Sequence, residues 1–124
     1  MQGTDLETMI RSYLTAFEAR DLPQCIAYFA DDATLAWQMG VYRGKQAIEE
    51  WHKDRFAADM RLIRLERIQV EGNVVTVDAI ATSKRLKAWR LGALGGQMTL
   101  VLQDGKIKET RFAVKSINPQ ENWA

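Results

Sequence analysis

The sequence is poor in the residues that build metal centres and covalent staples: it has one cysteine and one histidine in 124 residues. A lone Cys25 closes no internal disulfide and builds no cysteine-rich metal site, and it fits a reducing cytoplasm. One histidine with no ordered carboxylate cluster cannot supply a closed ligand set, so no metal is expected. Neither charge is in excess. Lys plus Arg is 17 and Asp plus Glu is 16, for a net charge of +1, so no overall field draws the chain to nucleic acid or to an anionic membrane. No stretch approaches the roughly 18 apolar residues of a membrane span. Met1-Gln2-Gly3-Thr4-Asp5 has neither the basic start nor the apolar run of a secretory signal. Repeats, low-complexity tracts and linkers are all missing. With 47% hydrophobic and 27% charged residues, the expectation is one globular, cytoplasmic domain over 1–124. Near-neutrality hides an asymmetry: residues 1–83 carry 9 basic and 13 acidic side chains, residues 84–124 carry 8 and 3.

What is present divides into helical and strand-like halves. Leu6, Met9, Ile10, Tyr13, Leu14 and Phe17 follow helical spacing, and Thr4 with Glu7 resembles a capping box. Asp21-Leu22-Pro23-Gln24 predicts a second helix start, followed by the apolar stripe Leu22, Cys25, Ile26 and Phe29. Cys25 therefore reads as a small core hydrophobe. Ala33 to Gln38 suggests a short strand, and Gly40 to Gly44 a turn into a third helix over about Lys45 to Ala57. On that helix His52 and Arg55 fall four and seven residues after Ile48, on or beside its apolar stripe.

After Asp59, runs rich in Val, Ile and Thr predict an antiparallel meander, with hairpin turns at Glu71-Gly72-Asn73 and Asp104-Gly105. Lys84 to Leu91 is expected to continue the preceding strand, and Gly92 to Gly96 to reverse the chain. Segregated helices and strands imply an α+β fold. Val75, Val77, Ala79 and Ala81 alternate with Val74, Thr76, Asp78 and Ile80, so both sheet faces look apolar. A second copy of the chain would cover the outer one, which predicts a homodimer.

The ordered set Tyr13-Leu14-Thr15-Ala16-Phe17, Arg20-Asp21-Leu22, Phe29-Ala30-Asp31-Asp32-Ala33-Thr34, Tyr42-Arg43-Gly44 with Ala47-Ile48, and Asp104-Gly105-Lys106-Ile107 resembles the nuclear-transport-factor-2-like (NTF2-like) superfamily, and within it the SnoaL-like group. The resemblance covers about 5–115. It implies a cystatin-like cone, with three N-terminal helices packed on a curved antiparallel sheet. It also implies a mostly apolar pocket and frequent dimerisation through the sheet. Its members include cyclases, isomerases, dehydratases, epoxide hydrolases and non-catalytic binding modules, so fold alone assigns no activity.

The family's chemistries fit this chain unequally. In the steroid-isomerase branch a tyrosine and a protonated acid hold an oxyanion while a carboxylate moves the proton. Tyr13 matches the tyrosine, but Trp37 stands where the base belongs, and no Asp or Glu occurs between Leu86 and Gln103. The epoxide-hydrolase branch uses an Arg-x-Asp pair, which this sequence lacks. The SnoaL-like cyclases resemble cofactor-free acid–base catalysts with one carboxylate, or a carboxylate–histidine pair, beside an apolar cavity. Asp78 and His52 are the candidates. A strand register that faces Ile80 inward also faces Asp78 inward, where burial would raise its pKa; the alternative is an outward Asp78 paired with an arginine such as Arg64 or Arg111. His52 is either a proton carrier at the pocket mouth, with Arg55 orienting an anionic or carbonyl group, or a solvated flank residue.

The large rings of Trp37, Trp51, Phe17 and Phe112, with Met39, are candidates to line a cavity for a planar hydrophobic ligand. Arg111, with Arg85, could project into it and select an acidic ligand. Lys84 to Arg90 reads as a solvated strand end and not as a nucleic-acid patch. The expectation is a SnoaL-like protein that binds a small hydrophobic molecule, without cofactor, nucleic acid or membrane. As an enzyme it would cyclise, isomerise or dehydrate a hydrophobic carbonyl compound, with Asp78 or His52 moving the proton and Tyr13 donating a hydrogen bond. The alternative is a non-catalytic module that dimerises and binds a ligand or a protein.

Overall fold

The structure, a computed structural model, describes residues 2–37, 40–88 and 91–119. Helix α1 (Gln2–Glu18) turns Ile10, Tyr13, Leu14 and Phe17 into the core, as their three- and four-residue spacing requires. Helix α2 (Leu22–Ala27) is capped by the Asp21 carboxylate, which accepts a hydrogen bond from the Gln24 backbone N–H at 3.3 Å, with Pro23 in its first turn. Helix α3 (Gly44–Ala57) buries Ile48, Trp51, His52 and Arg55, residues at positions i, i+3, i+4 and i+7 of one face. Arg20 closes α1 and Asp59 follows α3, both at positive φ, and their side chains form an ion pair that ties the two helix ends together.

Six strands form one curved mixed sheet in the order β2-β1-β6-β5-β4-β3. They are β1 (Phe29–Trp37), β2 (Gly40–Arg43), β3 (Arg61–Glu71), β4 (Val74–Thr82), β5 (Leu91–Gln103) and β6 (Lys106–Pro119). The register puts Leu35, Thr110, Leu100, Val75 and Val70 in one cross-strand row of the inner face. Phe112, Met98, Val77 and Ile68 form the next row. Helix α1 lies across β3 and β4, and α3 across β1 and β2. The inner face of β5 and β6 therefore lies between the two helices.

Both hairpin turns form where the sequence predicts them. Asp104 and Gly105 take φ of 53° and 75°, the doubly left-handed geometry of a type I′ turn, and Gly72 takes 62°. Other expectations are corrected. Helix α1 begins at Gln2, so Thr4 lies inside its first turn and not at a cap. The early strand is longer than expected, and Gly40–Arg43 is a short strand antiparallel to β1, not a turn. Lys84–Ala88 is a helical segment, α4, because Lys, Arg, Leu and Ala are all strong helix formers. It takes over the reversal expected of Gly92 to Gly96, which runs extended within β5 with a bulge at Gly95–Gly96. The sheet is not purely antiparallel: β1 and β6 pair in parallel. Helix α3 carries the chain from β2 to the far edge, and the meander returns to meet β1 last.

Candidate functional site

The interior is organised around His52, which is 0% exposed. Its position four residues after Ile48 lets ring Nδ1 donate to the Ile48 carbonyl at 2.8 Å, one helical turn back. That leaves Nε2 as the acceptor for the Tyr13 hydroxyl at 2.7 Å, bridging α3 and α1. The rings of Tyr13, Phe17, Phe29, Trp51 and Phe56 surround the imidazole, with centroids between 4.9 and 6.1 Å away. Burial among these rings drives the His52 pKa down to about 4; the Ile48 hydrogen bond opposes the shift and the nearby Arg55 charge adds to it. The imidazole is therefore neutral at physiological pH. Burial likewise holds the Tyr13 phenol well above its ordinary value, with the Cys25 thiol adding to the effect. Removing the phenol oxygen in Tyr13→Phe would leave Nε2 buried without a donor. The expected cost is about 1–3 kcal/mol of unfolding free energy, read from the urea midpoint.

One turn further along α3, Arg55 is 7% exposed. Its guanidinium carbon lies 4.8 Å from the ring centroids of both Trp37 and Trp51, between strand β1 and its own helix. Nη1 donates to the Asp54 carboxylate at 2.6 Å. Trp51 in turn stacks on Phe112 of β6, at 5.1 Å and 18°. Phe112 and Met98, neighbours in register, are both half-buried on the inner face of the sheet. The indole N–H groups of Trp37 and Trp51 and the hydroxyl of Thr110 are buried without a hydrogen-bond partner among the described residues.

The structure thus gathers Tyr13, Phe17, Trp37, Trp51, His52, Arg55 and Phe112 on one side of the sheet. Met39 and Trp89 lie outside the described residues. Asp78 is placed on the other side. It alternates with the core residues Val75 and Val77, and its carboxylate accepts from Gln97 Nε2 at 3.1 Å and Arg67 Nε at 3.5 Å. Of the two placements the sequence leaves open, Asp78 takes the outward one, and its arginine is Arg67, not Arg64 or Arg111, so it does not reach the interior to act as the acid or base. The inward placement expected of Arg111 is corrected. It pairs in register with Thr99, one residue out of phase with Phe112, its side chain is 76% exposed, and its guanidinium approaches Glu109 at 3.9 Å. His52 is not a flank residue, nor does it sit at a pocket mouth: it is fully enclosed. Cys25 is buried with its thiol pushed up to about 12, chiefly by burial, which makes it an inert core residue. Sequence reasoning missed Thr110, although its two-residue spacing from Phe112 on β6 carried the signal. The Ile48 carbonyl had none, because a backbone acceptor is invisible to side-chain patterns.

A mixed sheet with two long helices across its inner face, enclosing a ring-lined polar pair, defines an α+β domain of the cystatin-like cone type. The SnoaL-like domain family matches residues 10–110, and the chain belongs to that family, within the nuclear-transport-factor-2-like superfamily. None of the curated proteins matches it. Among solved structures, it is similar to the epoxide hydrolase/cyclase-like enzyme SalBIII of pyran ring formation in the polyether salinomycin. That likeness has TM-score 0.81 and 17% identity, covering 94% of this chain and 96% of the other. A protein from Kribbella flavida, provisionally assigned as a ketosteroid isomerase, gives TM-score 0.80 at 15% identity over 94% and 82%. One from Sinorhizobium meliloti, provisionally assigned as a polyketide cyclase, gives 0.77 at 20% over 91% and 100%. At these identities the likenesses show the fold.

Proposed function

We propose that this SnoaL-like protein binds a small hydrophobic molecule on the inner face of β5 and β6, between α1 and α3. The observation that carries this reading is the half-buried apolar floor of Met98 and Phe112, which adjoins Trp51 and the Arg55 guanidinium. An apolar surface with a few fixed polar groups is the usual make-up of a ligand site. No cofactor is proposed. We propose a cytoplasmic location, with which the free, buried thiol of Cys25 is compatible. We also propose that a second copy covers the outer face of the sheet, where Val41 is 51% exposed, to be measured by light scattering.

The test is a thermal-shift titration with 2-acetonaphthone, a planar hydrophobic ketone. A ligand that binds only the native state raises the melting temperature. Wild type and Thr99→Lys, altered on the outer face, are expected to rise equally. Met98→Lys, which puts an ammonium into the floor, is expected to lose the rise. An equal rise in all three contradicts the proposed location.

The hydrogen-bonded Tyr13–His52 pair favours a second reading, in which the protein is a cofactor-independent acid–base enzyme acting on a hydrophobic carbonyl compound. The names carried by the three similar structures motivate it. In that reading His52 Nε2 exchanges a proton through the Tyr13 hydroxyl. Turnover that survives in Tyr13→Phe contradicts it.

A further inference from the structure

Among the described residues, three buried side-chain polar groups have no hydrogen-bond partner: the indole N–H of Trp37, the indole N–H of Trp51 and the hydroxyl of Thr110. Trp51 is 4% exposed and Thr110 2%. A buried donor left unpaired costs stability, so each such group calls for a reason. Their placement supplies one. The two indoles flank the same guanidinium, each ring centroid 4.8 Å from the Arg55 carbon. Both N–H groups therefore lie within about a ring's width of a fixed positive charge. Thr110 is on the inner face of β6, two residues before Phe112, against which Trp51 stacks.

Indole N–H groups only donate, and so does guanidinium. The cluster is rich in donors, and Asp54, whose side chain is 54% exposed, meets Arg55 through Nη1. The chemistry complementary to such a set is an oxygen acceptor bearing negative charge, since hydrogen bonds to an ionised acceptor are roughly twice as strong as neutral ones. The adjoining Met98 and Phe112 accept an apolar body.

We propose that the ligand is a hydrophobic carboxylic acid, bound as its carboxylate by the indole N–H groups of Trp37 and Trp51 beside the Arg55 guanidinium. The inference rests on the ligand-binding reading above and adds the charged group to it. The guanidinium, held between two indole faces, keeps its place before the ligand arrives, so little side-chain freedom is lost on binding.

Matched probes separate the two ideas. Titration calorimetry at pH 7.5 compares 2-naphthoate with its methyl ester, which has the same rings and carbonyl but no charge. The expected result is at least about tenfold tighter binding of the acid to the wild type, an advantage lost in Arg55→Met. Equal binding of acid and ester to the wild type overturns the carboxylate inference and leaves the hydrophobic site standing; an ordered water then satisfies the indoles. Binding of neither probe removes the site and this inference with it. A readout on the unaltered protein guards against a variant that does not fold. Of the four indole N–H resonances, the two assigned to Trp37 and Trp51 by Trp37→Phe and Trp51→Phe are expected to move downfield with 2-naphthoate and not with the ester. Unmoved signals at saturation overturn the proposal.

Discussion

Replacing Phe29 by alanine is expected to remove about 3–5 kcal/mol of unfolding free energy. Phe29 opens β1 and is 1% exposed. Its ring meets Tyr13 and His52 edge-on at 5.6 Å each, so it walls the polar pair on the strand side. Truncation opens a cavity beside two groups whose hydrogen bond depends on the absence of water. The loss therefore exceeds that of an equally large ring packed only on aliphatic neighbours. Chemical denaturation measures it; a loss below about 1 kcal/mol would mean that the ring cluster does not hold α1 and α3 on the sheet.

The second large effect is on pH. The folded His52 pKa lies at about 4 against an ordinary 6.5. Between those values the unfolded chain carries a proton that the folded chain does not, so folding weakens as pH falls. Stability is full above pH 6.5 and declines through pH 4, by about 3 kcal/mol in all. Asp32, hydrogen-bonded to Lys108, and Asp59, where Arg20 and Arg61 outweigh burial, are both held below their ordinary range and release their contributions at lower pH. Urea midpoints measured from pH 7.5 to 4 should show the decline in wild type and a flat profile in His52→Gln, whatever that variant's absolute stability. A flat wild-type profile would place His52 in contact with solvent.

Much of this interior was legible in the sequence because helical periodicity is a strong signal. The spacing of Ile10, Tyr13, Leu14 and Phe17 on α1, and of Ile48, Trp51, His52 and Arg55 on α3, already placed the histidine and arginine beside an apolar stripe. The two hairpin turns were legible for a local reason, namely the positive φ that Gly72, Asp104 and Gly105 tolerate. What failed was non-local. Asp78 lies between Val77 and Ala79 in an apolar strand, and only the pairing with Gln97 and Arg67 decides which face it takes. The helix at Lys84–Ala88 was obscured by the strand before it, although its own residues favour a helix. The parallel pairing of β1 with β6 joins segments about seventy residues apart and leaves no local trace. The partnership of Tyr13 with His52 was equally hidden, since it needs two helices to be packed before the two side chains can meet.

The central claim is that a hydrophobic ligand lies on the inner face of β5 and β6. Chemical-shift mapping with 2-acetonaphthone tests it most directly, because alternate residues of the same two strands report opposite faces of the sheet. The account predicts that the Met98 methyl and Phe112 ring signals shift together with the Trp51 indole, while Thr99, Arg111 and the Asp78–Gln97 pair stay unmoved. Shifts confined to Thr99, Arg111 and Asp78, with Met98 and Phe112 silent, would contradict it.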